Sequence, residues 1–187
     1  MTASLPAAAA AGKPVEIWFM DEARVGQQGT LTRVWAKRGT RPRALRDRRY
    51  AWAWLFGAVC PERGVGAAVV LPHVNIEAMN AHLAEIGRRV AEGSHAVLVL
   101  DRAGWHTSPK LRVPENISLL WLPPYAPESN PVEQVWAYLR ANFLSHRVWD
   151  GYQAIVEACC DAWNRLMNTP ERLASITRRA WAKAVTG

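Results

Sequence analysis

Cysteine is scarce in this chain: three residues in 187, Cys60, Cys159 and Cys160. Their number is odd, two are adjacent, and no metal-ligand spacing occurs. A disulfide framework and a zinc ribbon are thereby excluded, and a reducing cytosol suits the chain better. Long hydrophobic runs are missing too. The longest, Ala51 to Cys60, falls well short of the roughly 20 apolar residues that cross a bilayer. The start, MTASLPAAAAAGKP, has no basic n-region and is interrupted by Pro6, so 1–14 reads as a flexible leader and not as a signal peptide. With no targeting segment, a cytoplasmic protein is expected. Negative charge is also in short supply. Sixteen Asp and Glu face 23 Lys and Arg, a formal net charge of +7. That balance favours a polyanionic partner, either nucleic acid or a membrane surface. Hydrophobic residues make up 50% of the chain, which is enough for a sizeable core and too much for disorder. The length suits one domain.

Periodicity sets out the elements. Val15, Ile17, Phe19 and Asp21 share one face of a strand that is expected to end at Asp21. Residues 22–50 read as irregular and basic, with a short strand at Arg33 to Lys37. Ala51 to Cys60 and Val65 to Leu71 form a hairpin around Pro61-Glu62-Arg63-Gly64. Asn75 caps a helix whose one face carries Ile76, Met79, Leu83, Ile86 and Val90. His95 to Leu100 and Ile117 to Leu122 are strands. A proline-rich loop, PPYAPESNP, leads to a helix opening at Pro131 with Asn130 as cap. Another helix spans Gly151 to Met167, and the tail from Pro170 is helical. This order predicts an α/β (α+β) sandwich built on a mixed five-stranded sheet flanked by helices, as one domain over 15–187.

Three carboxylates occupy informative places. Asp21 ends the first strand, Asp101 ends the strand after the long helix, and Glu133 lies in the first turn of a helix. Acids at the carboxyl ends of neighbouring strands converge where open sheets bind ligands. Converging carboxylates repel unless cations lie between them. Two magnesium or manganese ions would neutralise them and drive an in-line phosphoryl displacement. Spacing alone leaves plainer roles open. Glu22 could be the functional acid in place of Asp21, Asp101 could be a turn former, and Glu133 stands where a capping-box acid belongs.

The words around these acids narrow the choice. MDEAR at Met20–Arg24, LDRAGWH at Leu100–His106 and LPPYAPESNPVEQVW at Leu122–Trp136 together resemble the DDE transposases of the insertion-sequence-630 family, in the mariner superfamily. The resemblance spans roughly residues 15–180. It implies a ribonuclease-H-like fold and a magnesium-dependent domain, with manganese able to substitute, that cleaves transposon ends and transfers strands into target DNA. It assigns Asp21, Asp101 and Glu133 as catalytic acids and metal ligands, with Glu128 an acid of the loop and not a ligand. His106 matches the motif histidine and is a possible accessory to the site. Arg102 and Ala126 depart from the common pattern without touching a proposed ligand. The resemblance also implies double-stranded DNA as partner, a homo-oligomer when assembled on it, and an N-terminal helix-turn-helix module. With the first acid at residue 21, that module is expected to be separate or missing.

The run Arg33 to Tyr50, RVWAKRGTRPRALRDRRY, carries eight Lys or Arg and one acid, Asp47. A nuclease site needs phosphate contacts, so Arg41, Arg43, Arg46, Arg48 and Arg49 are the candidate DNA-binding residues. Trp35 and Tyr50 flank the run, as stacking platforms or as core. His73, His82, His95 and His146 lack motif context and read as structural. Two rivals remain at this level. One is another ribonuclease-H-like nuclease, which would add a late carboxylate such as Asp161. The other is a non-catalytic DNA-binding module derived from a transposase.

Overall fold

The alternation at the start of the chain places a strand with two apolar faces. In β1 (Val15–Gly26), Phe19, Ala23 and Val25 pack into one cluster while Trp18 and Met20 enter another on the opposite side. A strand buried on both faces belongs in the middle of a covered sheet. The computed structural model, which describes residues 12–27, 35–40, 43, 48–123 and 129–179, places it there. Around it lie β2 (Trp52–Cys60), β3 (Val65–Leu71), β4 (His95–Leu100) and β5 (Ile117–Trp121). The order is β3-β2-β1-β4-β5. The β1–β2 and β2–β3 pairs are antiparallel, and the β1–β4 and β4–β5 pairs are parallel.

Helix α1 (Ile76–Arg89) covers one face. Asn75 caps it, its Oδ1 accepting from the Ala78 N–H at 2.8 Å. Met79, Leu83 and Ile86 pack on Trp18, Met20, Leu98 and Leu100. The other face carries α2 (Val132–Leu139), α3 (Gly151–Met167) and α4 (Pro170–Thr177). Val135, Trp136, Leu139, Ile155 and Trp163 meet Phe19, Leu55, Val59 and Val99 there. All three cysteines are free, and no helix among the described residues is long and apolar enough to cross a membrane.

Two readings are corrected, and one feature was not foreseen. β1 does not end at Asp21 but runs on to Gly26. Its ladder to β4 stops at Phe19↔Val99, while its ladder to β2 continues to Gly26↔Trp52. Beyond Asp21 only Ala23 and Val25 carry the apolar face, too few and too small to register as alternation. Trp35 to Lys37 is irregular and Trp35 is fully exposed, so it is neither strand nor core; Arg33 and Val34 lie outside the described residues. Finally, α2 passes into a π-helical turn, Arg140–Leu144, closed by Ser145 N donating to Arg140 O at 3.0 Å. No residue in that stretch announces the wider turn.

Candidate active site beside the carboxyl end of β4

The parallel register of β1 and β4 pairs Phe19 with Val99. Two residues further on stand Asp21, still within β1, and Asp101, just past the end of β4, so the two acids follow neighbouring strands at the same end of the ladder.

Asp21 takes the face of Phe19 and Ala23, toward α2. Its partner across the β1–β2 ladder is Gly57. A Cβ on Gly57 would lie 2.6 Å from Trp136 Cη2 and 2.8 Å from Trp163 Cζ3. The missing side chain is therefore what lets the Trp136 indole lie against the sheet. There Trp136 Nε1 donates to Asp21 Oδ2 at 2.9 Å. Asn130 fixes the helix from its other end. Its Nδ2 donates to Met20 O at 2.8 Å, and its Oδ1 accepts from Val132 N at 3.2 Å. The first turn of α2 is thus tied to β1 next to Asp21, and Glu133 comes with it. Glu133 is exposed, and its carboxylate takes no hydrogen bond from the described residues, so it closes no capping box there. Burial raises the Asp21 carboxyl from 3.8 to about 7. The Trp136 and Glu22 hydrogen bonds pull it down, while the charges of Glu133 and Glu22 push it up.

Asp101 is part of a second arrangement. Its side chain is 61% exposed, yet Oδ1 is engaged twice, by Ala103 N at 2.9 Å and by His106 Nδ1 at 2.7 Å. His106 Nε2 lies 2.8 Å from Glu22 Oε1, and Trp105 Nε1 donates to the same oxygen at 3.3 Å. Glu22 follows Asp21 in β1 and so leaves on the opposite face. Burial alone would lower the His106 pKa. The hydrogen bond and charge of Glu22, together with Asp101, outweigh it and hold the ring above its ordinary value.

The structure therefore brings Asp21 to Glu133 and links Asp101 to Glu22 through His106. Among the described residues, no three His, Cys, Asp or Glu side chains come together closely enough to hold a metal ion. Asp161 is exposed on α3. His82 and His95 are buried, with ring nitrogens facing Ala67 O and Ser118 Oγ, and His73 is exposed. A recess of about 570 Å³ at the β3 edge, lined by Gly66, Glu85, Arg89 and Trp163 among others, borders none of Asp21, Glu22, Asp101 and Glu133. Of the basic run, Arg43, Arg48 and Arg49 are exposed, while Arg41 and Arg46 lie outside the described residues, as do Ala126 and Glu128. Arg49 Nη2 donates to Trp149 O, so this arginine also braces its loop. Sequence reasoning missed the tie from Trp136 to Asp21 and the link through Glu22. The string Asn130-Pro131-x-Glu133-x-x-Trp136 held the first signal, because it places Glu133 and Trp136 on one side of a helix.

A mixed five-stranded sheet with this order, helices on both faces and acids beside the central strands define the ribonuclease-H-like class of nuclease folds. Residues 16–155 match the DDE superfamily endonucleases, and the chain belongs to that family. The uncharacterized protein y4pE/y4sA of Sinorhizobium fredii is 57% identical over 131 residues, 70% of this chain and 97% of the relative. Among solved structures, the Mos1 mariner paired-end complex with Mn matches 88% of this chain and 56% of its own, with a TM-score of 0.60 at 18% identity. The pre-cleavage Mos1 transpososome matches the same shares, with a TM-score of 0.59 at 17% identity. The isolated catalytic domain of Mos1 mariner transposase matches over 88% of this chain and 83% of its own, with a TM-score of 0.55 at 16% identity. The shared fold is that of the catalytic domain, and this chain spans just over half of the Mos1 chain in the complexes.

Proposed function

We propose that this chain is the catalytic domain of a DNA transposase, which cleaves transposon ends and joins them to target DNA, with Asp21, Asp101 and Glu133 as metal ligands. The observation that carries this reading is the state of Asp21. It is a part-buried carboxyl lifted to about 7, and the charges acting on it, those of Glu133 and Glu22, are both negative. Such a site gains from a divalent cation. All three side chains offer oxygen donors, which suit magnesium or manganese. When bound there, the ions supply activation of the attacking oxygen and stabilisation of the leaving oxygen in an in-line displacement.

The chain's own residues supply orientation. The Trp136 N–H engages Asp21 Oδ2 and, with the Glu22 backbone, orients the carboxylate. Ala103 and His106 engage Asp101 Oδ1 and leave Oδ2. The Asn130 bond to Met20 O sets the height of Glu133 above β1. Double-stranded DNA is the substrate, held in part by Arg41, Arg43, Arg46, Arg48 and Arg49. The working assembly is a homo-oligomer on DNA with a helix-turn-helix module, acting in the cytoplasm.

The test is a nicking and strand-transfer assay on DNA carrying the element's ends, with such a module supplied. Asp101→Asn keeps the side chain's shape and removes its charge. Cleavage should fall by orders of magnitude, while the metal-free protein stays folded, because an asparagine side-chain oxygen can still accept from Ala103 N and His106 Nδ1. An Asp101→Asn protein that unfolds easily yet cleaves when folded would make Asp101 a turn residue and defeat the reading.

A further inference from the structure

We propose that Glu22 is a positioning residue for this site, holding Asp101 in place through His106. The inference rests on the reading of Asp101 as a metal ligand. His106 is 1% exposed, so its ring cannot turn to water for partners. Its Nδ1 faces Asp101 Oδ1 at 2.7 Å and the Asp101 carbonyl oxygen at 3.2 Å, and its Nε2 faces Glu22 Oε1 at 2.8 Å. Carboxylates accept and do not donate, so each ring nitrogen has to present a hydrogen. A ring bonded at both ends has one orientation. The backbone supports it: His106 N donates to Ala103 O at 2.9 Å, which closes the turn that carries the ring back toward Asp101.

Glu22 is the fixed end of this chain of contacts. Its side chain is 6% exposed and stands on β1, whose ladder to β2 includes the pair Glu22↔Phe56. Trp105 Nε1 bonds the same Oε1 and packs edge-on against the His106 ring, with centroids 5.7 Å apart. Asp101, by contrast, lies just past the end of β4 with a largely exposed side chain, and besides His106 only the Ala103 N–H, from the same turn, engages it among the described residues. Removing Glu22 would leave a buried ring N–H without an acceptor and free the ring to turn away. Consecutive residues of β1 thus serve opposite faces. Asp21 is a ligand, and Glu22 steadies the ligand of the neighbouring strand.

The probe is Mn²⁺ alone, with the unbound ion read by electron paramagnetic resonance, on the parent chain and on Glu22→Ala, Glu22→Gln, His106→Ala and the double variant. Partners that orient a metal ligand typically contribute about 10- to 100-fold in affinity. Glu22→Ala should therefore weaken Mn²⁺ binding about tenfold or more. Glu22→Gln, whose amide oxygen still accepts from Nε2, should keep most of the affinity. Adding Glu22→Ala to His106→Ala should cost much less than Glu22→Ala costs in the parent, because the hold of Glu22 on Asp101 passes through the ring and only its charge near Asp21 is left to lose. In metal-free protein, the His106 ring N–H signals in ¹H–¹⁵N spectra should persist in the parent and Glu22→Gln and vanish in Glu22→Ala. Glu22→Met, of similar length without an acceptor, replaces Glu22→Ala if that variant unfolds. Unchanged affinity, a loss that adds in full to that of His106→Ala, or unchanged ring signals would each overturn the proposal. Mn²⁺ binding that survives Asp101→Asn would instead overturn the ligand assignment, and the proposal with it.

Discussion

Trp136 joins packing to chemistry in a single side chain. Its indole is 2% exposed and tilts against Trp163, while its one polar atom meets Asp21. Phenylalanine at this position fills similar space and lacks the donor, so Trp136→Phe isolates the hydrogen bond. The Asp21 carboxyl, raised from 3.8 to about 7, favours its protonated form in the folded state. A raised carboxyl lets folding stability fall as pH rises from about 4 toward 7. Losing the Trp136 donor lifts the folded value further, so the fall continues to higher pH. In chelator-treated protein, Trp136→Phe should cost little at pH 5, where Asp21 is protonated in both proteins. At pH 8 it should cost about 1.5–3 kcal/mol, the range for a hydrogen bond to a charged group. Urea melts at the two pH values check this, and equal deficits would show that the indole matters only as bulk. The position of Trp136 was legible in the Glu-x-x-Trp spacing, but its bond to Asp21 was not. That bond depends on Gly57, whose role appears only when β2 is laid beside β1.

Among the elements, those with strong local signals were legible in the sequence. Asn75 and the Met79–Leu83–Ile86 stripe defined α1, the apolar run of β2 defined a buried strand, and Pro170 opened α4. What remained hidden was set by partners distant in the chain: the extension of β1 along β2 and the π-helical turn after α2. The buried histidine of α1 is of the same kind. His82 lies on the helix face toward β3, with Nε2 3.4 Å from Ala67 O and the Phe56 ring edge-on at 5.8 Å. Burial lowers its pKa from 6.5 to about 4. A histidine kept neutral in the folded state costs stability as pH falls from 6.5 to about 4, because the unfolded chain takes up the proton first. Asp21 pulls the other way over nearly the same range, so the parent's curve is flattened. His82→Leu should remove one of the two opposing slopes. Relative to the parent, the variant should gain about 3 kcal/mol between about pH 7 and about pH 4, since a tenfold change in proton affinity is worth about 1.4 kcal/mol. Parallel stability curves for the two proteins would show that His82 titrates normally.

At the scale of the whole molecule, charge decides how the domain meets DNA. The surplus of positive charge is seven, and five arginines between residues 41 and 49 match most of it in number. That run lies between β1 and β2, the strands that carry Asp21 and Gly57 across from each other. Of the described members, Arg43 and Arg48 are exposed, and Arg49 is exposed while also donating to Trp149 O, at the entrance to α3. Two effects must be kept apart: phosphate contact by the run as a whole, and bracing of the loop by Arg49. Replacing Arg41, Arg43 and Arg46 by glutamine leaves the brace in place. If each contacts a phosphate, the slope of log affinity against log salt should fall by about 0.9 per residue on duplex DNA. Thermal stability should stay within about 0.5 kcal/mol of the parent if the three arginines serve DNA and not the fold. Arg49→Gln should do something different. It removes a charge-assisted bond to a backbone carbonyl, so stability should fall by about 1–2 kcal/mol along with any loss of slope. Salt titrations of DNA binding and melting curves on the two variants measure both quantities. A salt slope unchanged in the threefold variant would make the run a solvated loop, and DNA would have to be held by the positive charge carried elsewhere on the domain.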